Sequence, residues 1–203
     1  MARVNGGVPV GGAAAPTRTA AEIMDAAADE VRLHGIRRTT ASDIARRAGV
    51  SRQTLYRYWP DVQSLLAALV TRELLAQLPQ QAGDGLDEPT SLDGLVMILV
   101  DTTDRIRRMP LLQTLRTSDP ELLARYVLEQ VGTSQREIHA QIAARVHAGQ
   151  AAGFVRAGDE VAMAGMVLLI TQSAALSAPL VHAWLHGDPW RTELTAALTG
   201  YLR

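Results

Sequence analysis

The eight residues SRQTLYRY at 51 to 58 carry seven side chains with polar hydrogens, a density that points to recognition rather than bond-making. Arg52 and Gln53 are long donors suited to guanine and adenine edges, and Thr54 offers a base either a methyl or a hydroxyl. Ser51 stands where a helix begins, so its hydroxyl and the backbone N–H groups behind it can meet a phosphate at the positive end of the helix dipole. Tyr56 and Tyr58 carry terminal O–H groups that fit phosphates better than base edges.

Chemistry of other kinds is largely excluded. The chain has no cysteine, which removes disulfides, thiolate metal sites and a cysteine nucleophile. Its 20 basic residues are all arginine, so Schiff-base chemistry and a phosphate-loop lysine are absent too. No G-x-S-x-G elbow, H-E-x-x-H pair or glycine-rich phosphate loop occurs. His182 and His186 stand at i, i+4, but no third ligand shares their register, and His139 and His147 read as surface groups. We therefore expect no catalytic residues, no metal and no cofactor, and set an enzyme aside.

The donors need a scaffold, and the pattern around them supplies one. Thr40 and Asp43 cap a short helix ending at Gly49, and Ser51 caps a second that closes near Pro60. Ile44 and Ala45 point inward, Ala45 small enough for a close crossing. Gly49 stands where the turn needs a positive φ, and Val50 and Leu55 anchor the second helix. This is the register of a helix-turn-helix, whose second helix lies in a DNA major groove. A helical hairpin with a solvated basic face is the other reading of the register alone. Charge follows the first: Arg37 to Arg57 holds six arginines against Asp43, a local +5 on a chain of net charge −1. Residues 1–79 sum to +3 (10 Arg, 7 acids) and 80–203 to −4 (10 Arg, 14 acids).

The rest of the chain is helical in pattern. Residues 1–16 read as a flexible Gly/Ala-rich tail, too interrupted for a secretory signal, which makes a cytoplasmic protein the expectation. Thr19 and Glu22 are spaced as a capping box for a first helix along Ile23, Ala27 and Val31 to Gly35, and Asp61 caps a fourth helix running to Pro79. Residues 79–91 form the boundary between a domain at 17–79 and one at 80–203. Beyond it, stripes run from Leu92 to Ile106, through Leu123, Tyr126, Val127 and Val131, through Ile138, Ile142 and Val146, and from Trp190 to Tyr201. Val161 to Gly187 has no Asp, Glu, Lys or Arg over 27 residues, long enough to span a bilayer. Its Thr171, Gln172, Ser173, Ser177 and Pro179, with no positive flank, favour a helix buried against a partner subunit. The predicted fold is all-α.

The stretch from Thr19 to Leu66 resembles the N-terminal domain of the TetR (tetracycline repressor) family of bacterial regulators. The likeness is carried by the Ile23–Gly35 helix ending HGI, by TTASDIARRAGVSRQTLYRYW, and by the Leu-rich helix after Pro60. It implies that Thr40, Ser51, Arg52, Gln53, Thr54, Tyr56 and Tyr58 face DNA. Many members place a phosphate-gripping lysine near the start of the fourth helix, where this chain has Val62, and the usual Phe is Trp59. The resemblance further implies a C-terminal ligand-binding core, a homodimer made by the last two helices, double-stranded DNA with a palindromic operator as partner, and release by an unidentified small-molecule effector. Polar residues on its apolar faces are the pocket candidates: Thr103, Gln113, Tyr126, His139, Gln172 and Trp184. The reading is a DNA-binding transcriptional regulator of repressor type. The alternative is a helical homodimeric interaction protein that has lost DNA binding.

Overall fold

A computed structural model describes residues 17–79, 89–128 and 132–203, without the side chains of 125–128. The tail, most of the boundary segment, the Tyr126 and Val127 side chains and Val131 lie outside the described residues. Four helices come first: α1 (Arg18–His34), α2 (Ala41–Arg47), α3 (Arg52–Tyr58) and α4 (Val62–Leu75). Six follow: α5 (Leu92–Arg108), α6 (Pro110–Ser118), α7 (Pro120–Leu128), α8 (Thr133–Ala151), α9 (Glu160–Leu176) and α10 (Asp188–Leu202). Among the described residues no strand occurs, as the absence of period-2 alternation predicts.

The helix starts have local causes. Side-chain oxygens of Thr40, Ser51, Asp61, Ser91 and Asp159 accept backbone N–H groups of the first turns of α2, α3, α4, α5 and α9. α1 departs from expectation. Its cap is Thr17, whose hydroxyl accepts the N–H of Ala20, so Thr19 lies inside the first turn and Glu22 instead takes the Arg18 guanidinium at 3.0 Å. The oxygen two residues earlier lets the helix begin sooner, and an i, i+4 ion pair replaces the capping box. α4 ends at Leu75, and a turn carries the chain on through Leu78.

Two apolar cores form. The first joins Ile23, Ala27 and Val31 of α1 to Ile44, Ala45, Leu55, Leu65 and Leu69, and takes in Leu115 of α6 and Leu122 of α7. The second joins α5, α8, α9 and α10 through Leu95, Val100, Val146, Val167, Trp190 and Leu198. Where α8 turns back beside Val155, Gly149 is required: a Cβ there would stand 2.5 Å from a Val155 methyl and 2.8 Å from the Phe154 ring. The long uncharged stretch is divided, since α9 stops at Leu176 and a 3-10 turn at Ala178–Val181 follows. No helix among the described residues is long and apolar enough to cross a membrane.

Candidate nucleic-acid interface and the cavity behind it

α2 and α3 meet at a tight turn in which Gly49 adopts φ 67° and the Val50 N–H returns to the Ala45 carbonyl at 3.0 Å. Ala45 is buried at the crossing, as its size predicts. Leu55 is the buried residue of α3, and Ser51, Arg52, Gln53, Tyr56 and Arg57 are exposed, with Thr54 and Tyr58 half-buried. Leu55, with Val50, Tyr58 and Trp59 packed on the same core, thus fixes the helix and leaves its long donors in solvent, which is what a groove-reading helix requires. Thr40 is exposed, and its hydroxyl both caps α2 and donates to the Asp43 carboxylate at 2.6 Å. The Ser51 hydroxyl is likewise engaged, accepting the Thr54 N–H at 3.0 Å and lying 2.9 Å from the Thr54 hydroxyl.

The basic block is sorted by its ion pairs. Arg46 bonds Asp43 at 2.8 Å, and Arg47 bonds the buried Glu30 at 2.7 Å, with His34 3.6 Å from the other carboxylate oxygen. Arg37, Arg38, Arg52 and Arg57 have no carboxylate partner among the described residues, so their positive charge is left uncompensated. Arg52 and Arg57 stack over Tyr56 and Tyr58, at 5.9 and 5.4 Å from the ring centroids. The Tyr58 hydroxyl accepts from Thr17 at 3.3 Å, tying the start of α1 to the end of α3. That bond from Thr17, and then Arg57 beside it, lowers the Tyr58 pKa from its ordinary value.

Behind this domain a cavity opens among α4, α5, α8 and α9, leaving about 100 Å³ in which the centre of a water-sized atom can sit. Its walls are mostly aliphatic, including Val70, Leu74 and Leu78 from the α4 segment, Ile98 and Ile106 from α5, Ile138 and Ile142 from α8, and Leu168 from α9. Val70 belongs at once to this wall and to the core of the helix-turn-helix domain. Leu112 brings α6 to the same wall.

An HTH-type transcriptional regulator of Mycobacterium bovis is 42% identical to this chain over 184 residues, 91% of this chain and 94% of that protein. One of Mycobacterium tuberculosis matches with the same identity and coverage. The model for bacterial regulatory proteins of the tetR family matches residues 23–69. The chain belongs to the tetR family. Solved structures repeat its fold: the R. erythropolis transcriptional repressor QsdR from the TetR family superposes with a TM-score of 0.61 at 19% identity, over 91% of this chain and 96% of that one. FadR from Bacillus subtilis, solved in complex with stearoyl-CoA, does so at 0.59 and 16%, over 90% and 99%. This tetR-family chain is a DNA-binding transcriptional regulator of helix-turn-helix type, in a family of regulators rather than enzymes.

Within this tetR-family fold the pocket candidates separate. Thr103 and Gln172 line the cavity, although the Thr103 hydroxyl donates to the Leu99 carbonyl at 2.6 Å. His139 lies outside the cavity lining with a ring nitrogen 2.9 Å from the Val161 carbonyl, Gln113 is exposed, and Trp184 stands 81% exposed. The Tyr126 side chain is outside the described residues. The rings of His182 and His186 lie with centroids 5.0 Å apart and planes tilted by 47°, and no group of three metal-ligating side chains occurs among the described residues. Sequence reasoning missed Gln141 and Arg145, which line the cavity from α8. Their i, i+4 spacing on a helix carrying Ile138 and Ile142 was the available signal.

Proposed function

We propose that this regulator is a homodimeric repressor of the bacterial cytoplasm, which holds a palindromic operator through two copies of α3 and lets go when a small molecule fills the cavity. Arg52, Gln53 and Thr54 read bases, while Thr40, Ser51, Tyr56 and Tyr58 fix the register on the backbone. The observation that carries this reading is the double membership of Val70. A ligand entering the cavity presses on α4, whose Leu65, Leu66 and Leu69 belong to the same core as Leu55 of α3, so occupancy and the attitude of the reading helix are linked through that core. Such a ligand acts by binding one attitude better than the other, since equal affinity shifts nothing.

The dimer reading rests on the outer face of α9. Val161, Met166 and Leu169 are 57%, 44% and 61% exposed, and Leu180 and Trp184 beyond the helix are 80% and 81% exposed. Large apolar side chains left exposed along one segment support an interaction surface, and a second copy supplies a self-complementary one across a two-fold axis. Two experiments test the proposal. Sedimentation equilibrium should give twice the 21.8 kDa chain mass, and in a deletion strain transcripts beside the operator should rise. A monomer, or a fall in those transcripts, contradicts it.

A further inference from the structure

The cavity has a chemical polarity of its own. Among the described residues no aromatic ring lines it, and two of its threonines turn their hydroxyls to the backbone, Thr103 to Leu99 at 2.6 Å and Thr171 to Val167 at 2.9 Å. What such a wall favours is a flexible aliphatic body, which gains burial without needing a stacking partner.

Against this background Arg145 is the one ionisable residue in the wall among the described residues. Its guanidinium donates through Nη1 to the Gln141 carbonyl at 3.2 Å, while its Nε is buried without an acceptor. Among the described residues no carboxylate lies within ion-pairing distance of it. One turn earlier, the Gln141 amide nitrogen donates to Glu137 at 3.2 Å, which fixes the amide orientation and leaves its Oε1 buried without a donor. A guanidinium N–H that is buried with no acceptor is costly until an anion arrives. The same helix face therefore holds one unmet cationic donor and one unmet neutral acceptor, an i, i+4 pair.

We infer that the ligand of this cavity is an aliphatic carboxylic acid with a hydroxyl near its head: the carboxylate pairs with Arg145, the hydroxyl donates to Gln141 Oε1, and the chain lies along the aliphatic wall. This deepens the reading of the cavity as the effector site and rests on it.

The test is calorimetric titration of the full-length protein with 3-hydroxydecanoate, decanoate, decanol and decanoyl-CoA, in parallel with release of a selected operator duplex. 3-Hydroxydecanoate should bind at least about tenfold tighter than decanol, the size of a charge-assisted hydrogen bond. It should also bind tighter than decanoate. The thioester keeps the chain but has no free carboxylate at its head, its charges lying on the distant phosphates of the coenzyme, and should bind as weakly as the alcohol. In Arg145→Met, checked for a retained thermal transition, acid and alcohol should bind alike, and Gln141→Leu should erase the preference for the hydroxylated acid alone. Equal binding of acid and alcohol by the wild type overturns the inference without recourse to any variant. So does failure of both acids to bind a protein that still holds its operator, which leaves the effector reading standing. Acid-selective binding that requires Arg145 but releases no operator upholds the ligand class and sinks the regulatory reading.

Discussion

Leu112 and Leu115 sit one turn apart on α6, Leu112 against the cavity and Leu115 fully inside the core of the helix-turn-helix domain. The helix is also clamped from behind. Arg116 donates to the Ala175 carbonyl at the end of α9 at 3.1 Å, and burial, then the neighbouring Arg107 charge, lowers its pKa. α6 thus touches ligand space, the reading domain and α9, with α4 as the second bridge through Val70.

Filling the cavity from α6 should imitate an effector. Leu112→Trp is expected to keep the fold and weaken operator binding by about 5- to 150-fold, the range of ordinary allosteric coupling. Fluorescence anisotropy with a labelled duplex measures it, and unchanged affinity in a folded variant would remove α6 from the coupling route. Leu115→Ala, by contrast, should cost about 2–5 kcal/mol of stability as a core truncation.

Base reading and phosphate holding should be separable on the interface. Arg52→Ala is expected to relax specificity at one operator position by about 1–3 kcal/mol, whereas Arg37→Ala should weaken all duplexes alike. Binding to a panel of single-substitution operators distinguishes the two patterns, and a uniform loss for Arg52→Ala would reassign it to the backbone.

Arg47 lies in the basic block but is committed to Glu30, which is 3% exposed. Arg47→Ala leaves that carboxylate buried with only His34 near it, and should cost about 3–5 kcal/mol by chemical denaturation. The salt dependence of DNA binding by the folded fraction should stay the same. A shallower salt slope would show that Arg47 neutralises a phosphate after all.

Much of this was legible in the sequence, and the limits have physical causes. The helix-turn-helix could be read because small, turning and anchoring roles fall on Ala45, Gly49 and Leu55 within a short span, so local rules fix them. The cap of α1 was misplaced because Thr17 and Thr19 offer the same oxygen two residues apart, and only the backbone chooses. The pairing of Arg47 with Glu30, 17 residues away, depends on how α1 and α2 cross, which spacing does not encode. The cavity is harder still: Thr103 lines it while His139 does not, a distinction set by four packed helices rather than by one stripe.

Asp104 gives the C-terminal core an acid limit. Burial alone would raise its pKa, but bonds from Arg107 at 2.5 Å and Arg108 at 3.1 Å outweigh that and hold it below the ordinary carboxylate value. A lowered folded pKa means stability that is present above the unfolded value of about 4 and is lost as pH falls through the folded one. Asp104→Asn should therefore lower stability at neutral pH and flatten its decline on acidification. Thermal melts from pH 7 down to pH 2 check this, and parallel curves for the two proteins would rule the carboxylate out as a cause.

Val62, at the start of α4 and partly buried against the first core, stands where the family resemblance implies a lysine that grips a phosphate. Val62→Lys should raise affinity for every duplex and steepen the salt dependence by about one counterion. No change in slope would mean that the start of α4 stands away from the backbone.

Reading of a palindrome by two copies of α3, as proposed, is put to the test by selecting bound duplexes from a random DNA pool with the purified protein at two salt concentrations. A two-fold symmetric site with half-sites one helical turn or a multiple apart, roughly 34–36 Å per turn, is the expected result, with recovery falling as salt rises. Absence of any enriched sequence at the lower salt would contradict the account, and would make the exposed donors of α3 an inherited surface on a helical dimer with another task.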